Sequence, residues 1–268
     1  MLKKFLLASS LVLAAGCTTV PITGRRQLSL VSDSEMNTLA ISQYKQTLSS
    51  AKLSTNAAEV AMVRRVGERI AAAVQQYFKQ QGQSSALEGY QWEFNLIDDP
   101  KTVNAWCMPG GKVAVYSGIL PITQNETGLA VVMGHEISHA VAKHGAERMS
   151  DQLVAQVGGA ALSTALSQNP TVTQGLFQQA VGMGAQVGTQ VGLLAFSRRQ
   201  ESEADHLGLI FMAIAGYNPE GAVPFWERMA AQSQSSTPAF LSDHPADATR
   251  IADIKSLLPE AMKYYKPR

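Results

Sequence analysis

Charge and cysteine are both scarce in this chain. Asp, Glu, Lys and Arg make up only 16% of its 268 residues, against roughly 25% in an average soluble domain. That shortage suits an exported or envelope protein. The two cysteines, Cys17 and Cys107, exclude a disulfide scaffold and any four-cysteine zinc knuckle. No basic stripe exists: 22 Lys and Arg face 21 Asp and Glu, and without Lys3 and Lys4 of the leader the balance is 20 against 21. Nucleic-acid binding therefore has no electrostatic support. Nor is there an unbroken run of about 18 apolar residues, the length a spanning helix needs. What the chain does have is apolar mass, 46% of its residues, which is enough to bury a core and excludes wholesale disorder.

The first 17 residues, MLKKFLLASSLVLAAGC, have the shape of a secretory signal: two lysines, a short apolar stretch, then small residues. The ending Leu13-Ala14-Ala15-Gly16-Cys17 resembles a bacterial lipobox, with Ala14 where leucine is usual. Cys17 is thus expected to become the lipidated first residue of the mature chain, anchored by lipid rather than by a helix. Thr18 after it points to the periplasmic face of a bacterial outer membrane rather than to inner-membrane retention. Residues 18–31 read as an extended tether and residues 32–268 as one domain. Cys107, left alone, is expected to be a buried small hydrophobe without chemistry.

Ser32 with Glu35 forms a capping-box pattern that opens a helix, and Asn56 suits the cap of a second. In that second helix Val60, Val63, Val66, Ile70 and Val74 recur at helical spacing and define a core face. Trp92, Phe94 and Leu96 alternate with polar residues and predict a strand. Two short extended runs, 103–108 and 112–116, flank Pro109-Gly110-Gly111 and predict a hairpin. A second capping-box pattern, Thr123 with Glu126, predicts a helix running to about residue 148. Residues 152–197 carry no charged residue; two small-residue-rich helices packed on the core, or a lid, are expected there. Helices follow over roughly 198–215, after Pro219, and near 246–258. The fold class is α+β and mostly helical, with a small sheet.

The chemistry concentrates in His135-Glu136-Ile137-Ser138-His139. Residues four apart on a helix lie about 40° apart in projection, so the two imidazoles share a face and can grip one zinc ion. Glu136 sits about 100° from His135, placed to act as a general base on a water rather than to ligate. A catalytic zinc takes three protein ligands, and the third is sought in Arg198-Arg199-Gln200-Glu201-Ser202-Glu203-Ala204-Asp205-His206. Glu201 and Asp205 face one way and Glu203 the other. Glu201 is the expected ligand, with Asp205 accepting a ring N–H from a ligating histidine. The bland alternative is a solvated acidic helix. His144 and His206 project away from the ligand face and read as structural or surface histidines. His244, in Ser242-Asp243-His244-Pro245, has three open readings: an oxyanion donor, an occupant of the fourth zinc position in a resting state, or a residue of a plain turn.

Taken together, Asn104-Ala105, Pro109-Gly110-Gly111, Val115-Tyr116-Ser117-Gly118, Met133-Gly134-His135-Glu136 with His139, Glu201 with Asp205, and Asp243-His244-Pro245 resemble the HtpX and CAAX-prenyl-endopeptidase family of zinc metallopeptidases. The likeness is greatest to its bacterial envelope lipoproteins of the LoiP and BepA type. It implies a gluzincin-like fold in which a small sheet lies beside the zinc helix and its edge strand aligns an extended substrate. It also implies one zinc ion on His135, His139 and Glu201, with Glu136 activating water and Asp205 assisting. The implied substrates are unfolded or misfolded envelope proteins, cleaved in outer-membrane quality control. An alternative is a chaperone or assembly factor for outer-membrane proteins with latent peptidase activity, partnered with the assembly machinery. An aminopeptidase is disfavoured because Glu201 lies 62 positions past His139, farther than such enzymes place their third ligand.

Overall fold

Side-chain caps set where the principal helices begin. The computed structural model describes residues 17–20, 22–157, 197–232 and 238–267. The leader before Cys17 and the greater part of the uncharged 152–197 stretch, with its expected helices, lie outside the described residues. Ser32 accepts from Glu35 N at the start of α1 (Asp33–Ser50), and Asn56 accepts from Ala58 N and Glu59 N at the start of α2 (Ala57–Gln80). Both caps satisfy N–H groups that the first helical turn leaves unpaired. Helix α2 buries Val63, Val66, Ile70 and Val74, the stripe read from the sequence.

The stretch expected as a tether is instead a packed hairpin. Strands β1 (Cys17–Thr19) and β2 (Arg26–Leu28) pair antiparallel, with Cys17 opposite Leu28. Val20 is buried in the main core, Val31 lies under α1, and Gln27 donates to Ala142 O at 3.1 Å. Apolar anchors at both ends and the buried guanidinium of Arg25 hold this segment on the domain. A solvated tether offers none of these contacts.

Strands β3 (Glu93–Ile97), β4 (Ala105–Met108) and β5 (Lys112–Tyr116) form one sheet in the order β3-β5-β4. β3 runs parallel to β5 and β4 antiparallel to it. The β4–β5 turn passes through Gly110 and Gly111 at φ 78° and 81°, backbone that glycine adopts without a Cβ penalty. β4 is therefore an edge strand among the described residues, with one row of backbone groups left to a neighbour.

After the single turn α3 (Leu120–Thr123) comes α4 (Glu126–Val141), and here the structure corrects the sequence reading twice. The cap is Asn125, whose side chain accepts from Gly128 N, while Thr123 Oγ1 donates back to Leu120 O. The helix also stops at Val141: Lys143 takes φ 60°, and α5 (His144–Val157) starts in a new direction. The helix α6 (Arg198–Ile214) opens on a full capping box of Ser197 with Gln200. α6 crosses α4 where Gly134 meets Gly208. A Cβ on Gly208 would stand 3.0 Å from His135 N and 3.1 Å from Gly134 C, so any side chain there would press the two backbones apart. The helices α7 (Ala222–Gln232), α8 (Ala239–Asp243) and α9 (Ala248–Ala261) complete the helical layer. The main core joins α2, α4, α6 and α7 through Ile70, Leu129, Ile137, Phe211 and Trp226, and a second cluster lies between α1 and the sheet. The result is the mostly helical α+β arrangement expected, with α4 enclosed between sheet and helices.

Candidate active site

Helix α4 is buried on nearly every face, so its polar side chains must find partners inside the protein. His135 and His139 turn their rings to one point, with their Nε2 atoms 3.0 Å apart. Glu201, in the first turn of α6, places Oε1 3.3 Å from His139 Nε2 and Oε2 3.5 Å from His135 Nε2. His244 follows α8 and brings Nδ1 to 3.1 Å from His135 Nε2 and 2.8 Å from Glu201 Oε1. These four donors all lie within 4.8 Å of one another.

Bonds of about 2.0–2.1 Å to a tetrahedral zinc put neighbouring ligand atoms about 3.3 Å apart, close to the separations seen. Glu136 and Glu201 place two buried carboxylates beside these donors, a costly arrangement unless cations compensate. Three imidazoles and one carboxylate form a zinc-type donor set. The cluster fits one zinc ion.

The hydrogen bonds around the cluster choose the ring tautomers. Asp205 Oδ1 lies 2.9 Å from His135 Nδ1, which assigns the proton to Nδ1 and turns the Nε2 lone pair inward. Asp205 is itself clamped by Arg250, whose Nε and Nη2 each donate at 2.8 Å. Arg250 also places Nη1 2.9 Å from Glu201 Oε2, donates to Pro245 O, and stacks on Trp226 with Cζ 3.6 Å from the ring centroid. The sequence reading missed Arg250. Its signal was slight: a single cation five residues beyond the Asp-His-Pro segment in a charge-poor chain.

His144 is a structural histidine and no member of the four donors, as expected, but it lies nearer to them than the helical projection places it. It is fully buried, with Nδ1 2.8 Å from His139 Nδ1 and Nε2 3.0 Å from Glu203 Oε2. The projection argument assumed a continuous helix, whereas the break at Lys143 swings His144 back under His139. Glu203 does face away from the four donors, as expected. His206 pairs with Glu260 at 3.0 Å near the surface.

Burial pushes the Glu136 carboxyl up to about 8, although His244, with Nε2 3.3 Å from Glu136 Oε1, works against the shift. Burial holds His139 well below the usual imidazole range, so it stays neutral. Burial also opposes ionisation of Glu201, but His244 and His135 outweigh it and hold the carboxyl well below its ordinary value. For Asp205, Arg250 overcomes the same opposition. Burial raises the Cys107 thiol, the opposite of what a reactive cysteine needs.

A cleft opens onto this cluster, lined by Asn104, Ala105 and Cys107 on one side and Glu136, His139 and His244 on the other. The edge strand β4 thus borders the cleft along its length.

Comparison with known proteins agrees with this geometry. The model of Peptidase family M48 matches residues 63–258. The mitochondrial metalloendopeptidase OMA1 of Schizosaccharomyces pombe is 36% identical over 247 residues, covering 90% of this chain and 66% of that protein. OMA1 of Saccharomyces cerevisiae is 34% identical over 190 residues, 68% of this chain and 52% of its own length. The beta-barrel assembly-enhancing protease of Escherichia coli is 32% identical over 171 residues, 62% of this chain and 34% of that protein. The chain therefore spans less than two thirds of these relatives. The OMA1 relatives are mitochondrial, and this overturns the expectation of a lipid-anchored place on the periplasmic face of a bacterial outer membrane. The matched region holds the whole four-donor cluster, and the chain belongs to peptidase family M48, with its gluzincin-like α+β fold and its single zinc ion.

Proposed function

We propose that the chain is a zinc endopeptidase that binds an extended segment of an unfolded or misfolded protein along β4 and hydrolyses one of its peptide bonds. The observation that carries this reading is the placement of Glu136 between the four-donor cluster and a cleft bordered by an edge strand. Strand addition uses the main chain of the substrate and asks little of its sequence, which suits unfolded protein. The endopeptidase names of the OMA1 relatives favour internal cleavage.

In this reading His135, His139 and Glu201 hold the zinc, which supplies a Lewis acid that acidifies water and polarises the scissile carbonyl. Glu136 takes the proton as water oxygen attacks the carbonyl carbon. It then delivers that proton to the leaving nitrogen as the C–N bond breaks, releasing an amine and a carboxylate. Burial raises the Glu136 carboxyl above the usual carboxylate range, which strengthens it as a proton acceptor. Asp205 keeps His135 in its ligating tautomer, with Arg250 holding Asp205.

His244 serves as the fourth donor of a resting state. With Nδ1 among the donors and Nε2 facing Glu136, it covers both the substrate position and the base, so α8 must shift before substrate enters. None of the described helices is long and apolar enough to cross a membrane. Cleavage of an end-blocked peptide tests internal hydrolysis, and failure to cut it while trimming free termini contradicts the endopeptidase reading.

A further inference from the structure

The N-terminal hairpin reaches the zinc site through one continuous line of hydrogen bonds. Arg25, between β1 and β2, donates from Nε to Glu203 Oε2 at 2.6 Å and from Nη1 and Nη2 to Glu147 at 2.5 and 2.7 Å. Thr23 also donates to Glu203. Glu203 accepts from His144 Nε2 at 3.0 Å, and His144 Nδ1 lies 2.8 Å from His139 Nδ1. Gln200 donates to Glu147 at 2.7 Å and ties the line to the start of α6.

Proton bookkeeping gives this line a direction. A carboxylate can only accept, so Glu203 requires the hydrogen of His144 on Nε2. A neutral imidazole then offers a lone pair at Nδ1, and the 2.8 Å contact can form only if His139 carries its hydrogen on Nδ1. That leaves the His139 Nε2 lone pair aimed at the donors of His135, Glu201 and His244. Asp205 performs the same service for His135 directly. His139 receives it through a second imidazole, because the carboxylate on that side of α6 is two residues earlier and one ring farther away. His139, His144 and Glu203 are buried and the Arg25 side chain nearly so, so water does not readily substitute for a lost partner there.

We propose that His144, Glu203 and Arg25 are positioning residues that fix the ligating tautomer and orientation of His139, which makes the hairpin of residues 17–28 part of the zinc site. The proposal rests on the zinc reading above. Removing an outer partner of a ligating histidine typically lowers metal affinity 10- to 100-fold.

The test is zinc affinity, measured on the whole chain by competition with a chelator, together with the melting temperature of the metal-free protein and the visible spectrum of the cobalt-loaded form. His144→Phe keeps the ring volume but offers no acceptor; a loss of about 10- to 100-fold in affinity and an altered cobalt spectrum are expected. His144→Asn, whose Oδ1 can take the place of Nδ1 as acceptor, should recover part of that affinity. Arg25→Met should weaken zinc binding in the same direction. Combined with His144→Phe it should add little, because Arg25 acts through His144. Ser150→Ala removes the acceptor for Leu30 N at 2.9 Å. It perturbs the segment after β2 without touching the line or the hairpin pairing, and should lower the melting temperature while leaving zinc affinity unchanged. Equal affinity losses in Ser150→Ala and His144→Phe would reduce the line to general scaffolding and overturn the proposal. So would unchanged affinity in a folded His144→Phe protein that binds zinc. Wild type without stoichiometric zinc would instead overturn the zinc reading itself, and the proposal with it.

Discussion

Arg250 gives the sharpest test of how the site is held together before metal binds. Its guanidinium is buried and shared between two acids: two bonds of 2.8 Å to Asp205 and a 2.9 Å contact to Glu201. Arg250→Met keeps the stem and much of the volume over Trp226 but leaves two carboxylates buried without their cation. Breaking a buried ion pair from one side costs about 3–5 kcal/mol, because the remaining charge stays desolvated. The metal-free protein should therefore lose about that much in urea unfolding. The zinc-loaded protein should lose less, since the metal then neutralises Glu201. Arg250→Lys should recover only part of the loss, because one ammonium cannot reproduce the two-pronged grip on Asp205 or the stacking on Trp226. A loss below about 1 kcal/mol in the metal-free Arg250→Met protein, the size of a surface pair, would refute the claim that Arg250 neutralises this cluster.

Three further predictions rest on separate features. His244→Ala should raise basal cleavage of an unfolded protein such as casein, because it uncovers both the fourth donor position and Glu136; lower or unchanged activity contradicts the resting-state role. Gly208→Val should push α6 away from the α4 backbone, costing about 1–3 kcal/mol of stability in urea unfolding and weakening zinc binding as Glu201 moves from His139. A stable variant with wild-type affinity would show that the close helix approach is dispensable. Glu126, at the N-terminus of α4, is held below the usual carboxylate range by hydrogen bonds from Arg65 and, to a smaller degree, Tyr217, against a modest opposing effect of burial. Its contribution is present above the unfolded value and lost as pH falls through the folded one. Glu126→Gln should thus be less stable than wild type at pH 7, with the gap closing between about pH 5 and pH 3; a gap independent of pH would contradict the ion pair.

The parts of the site that were legible in the sequence share one property: they are set by spacing along a single helix. His135, Glu136 and His139 share α4, and Glu201 and Asp205 share α6, so the helical period alone predicts their common faces. The core stripe of α2 and the Pro-Gly-Gly hairpin were legible for the same reason, since local period and turn chemistry decide them. What stayed hidden depends on chain reversals that no period encodes. The left-handed backbone at Lys143 breaks the expected long helix, and that break alone converts His144 from an outlying residue into a neighbour of His139. Arg250 and Arg25 reach the cluster from opposite ends of the chain, one 45 residues beyond Asp205 and the other 178 residues before Glu203. Charge neutralisation demands some cation beside these buried acids, but sequence does not say which. Residues 18–31 misled for a related reason: a short polar segment looks like a tether until a partner is found for its arginine.

The account stands on a zinc ion held by α4 and α6 with Glu136 as the base. The most direct test loads the chain and its Glu136→Gln variant with zinc, counts bound metal in both, and follows casein cleavage. The account predicts one zinc per chain in each protein and cleavage by the wild type alone. Zinc in both with equal cleavage would remove Glu136 from the mechanism, and no zinc in either would contradict the metal centre and the activity derived from it.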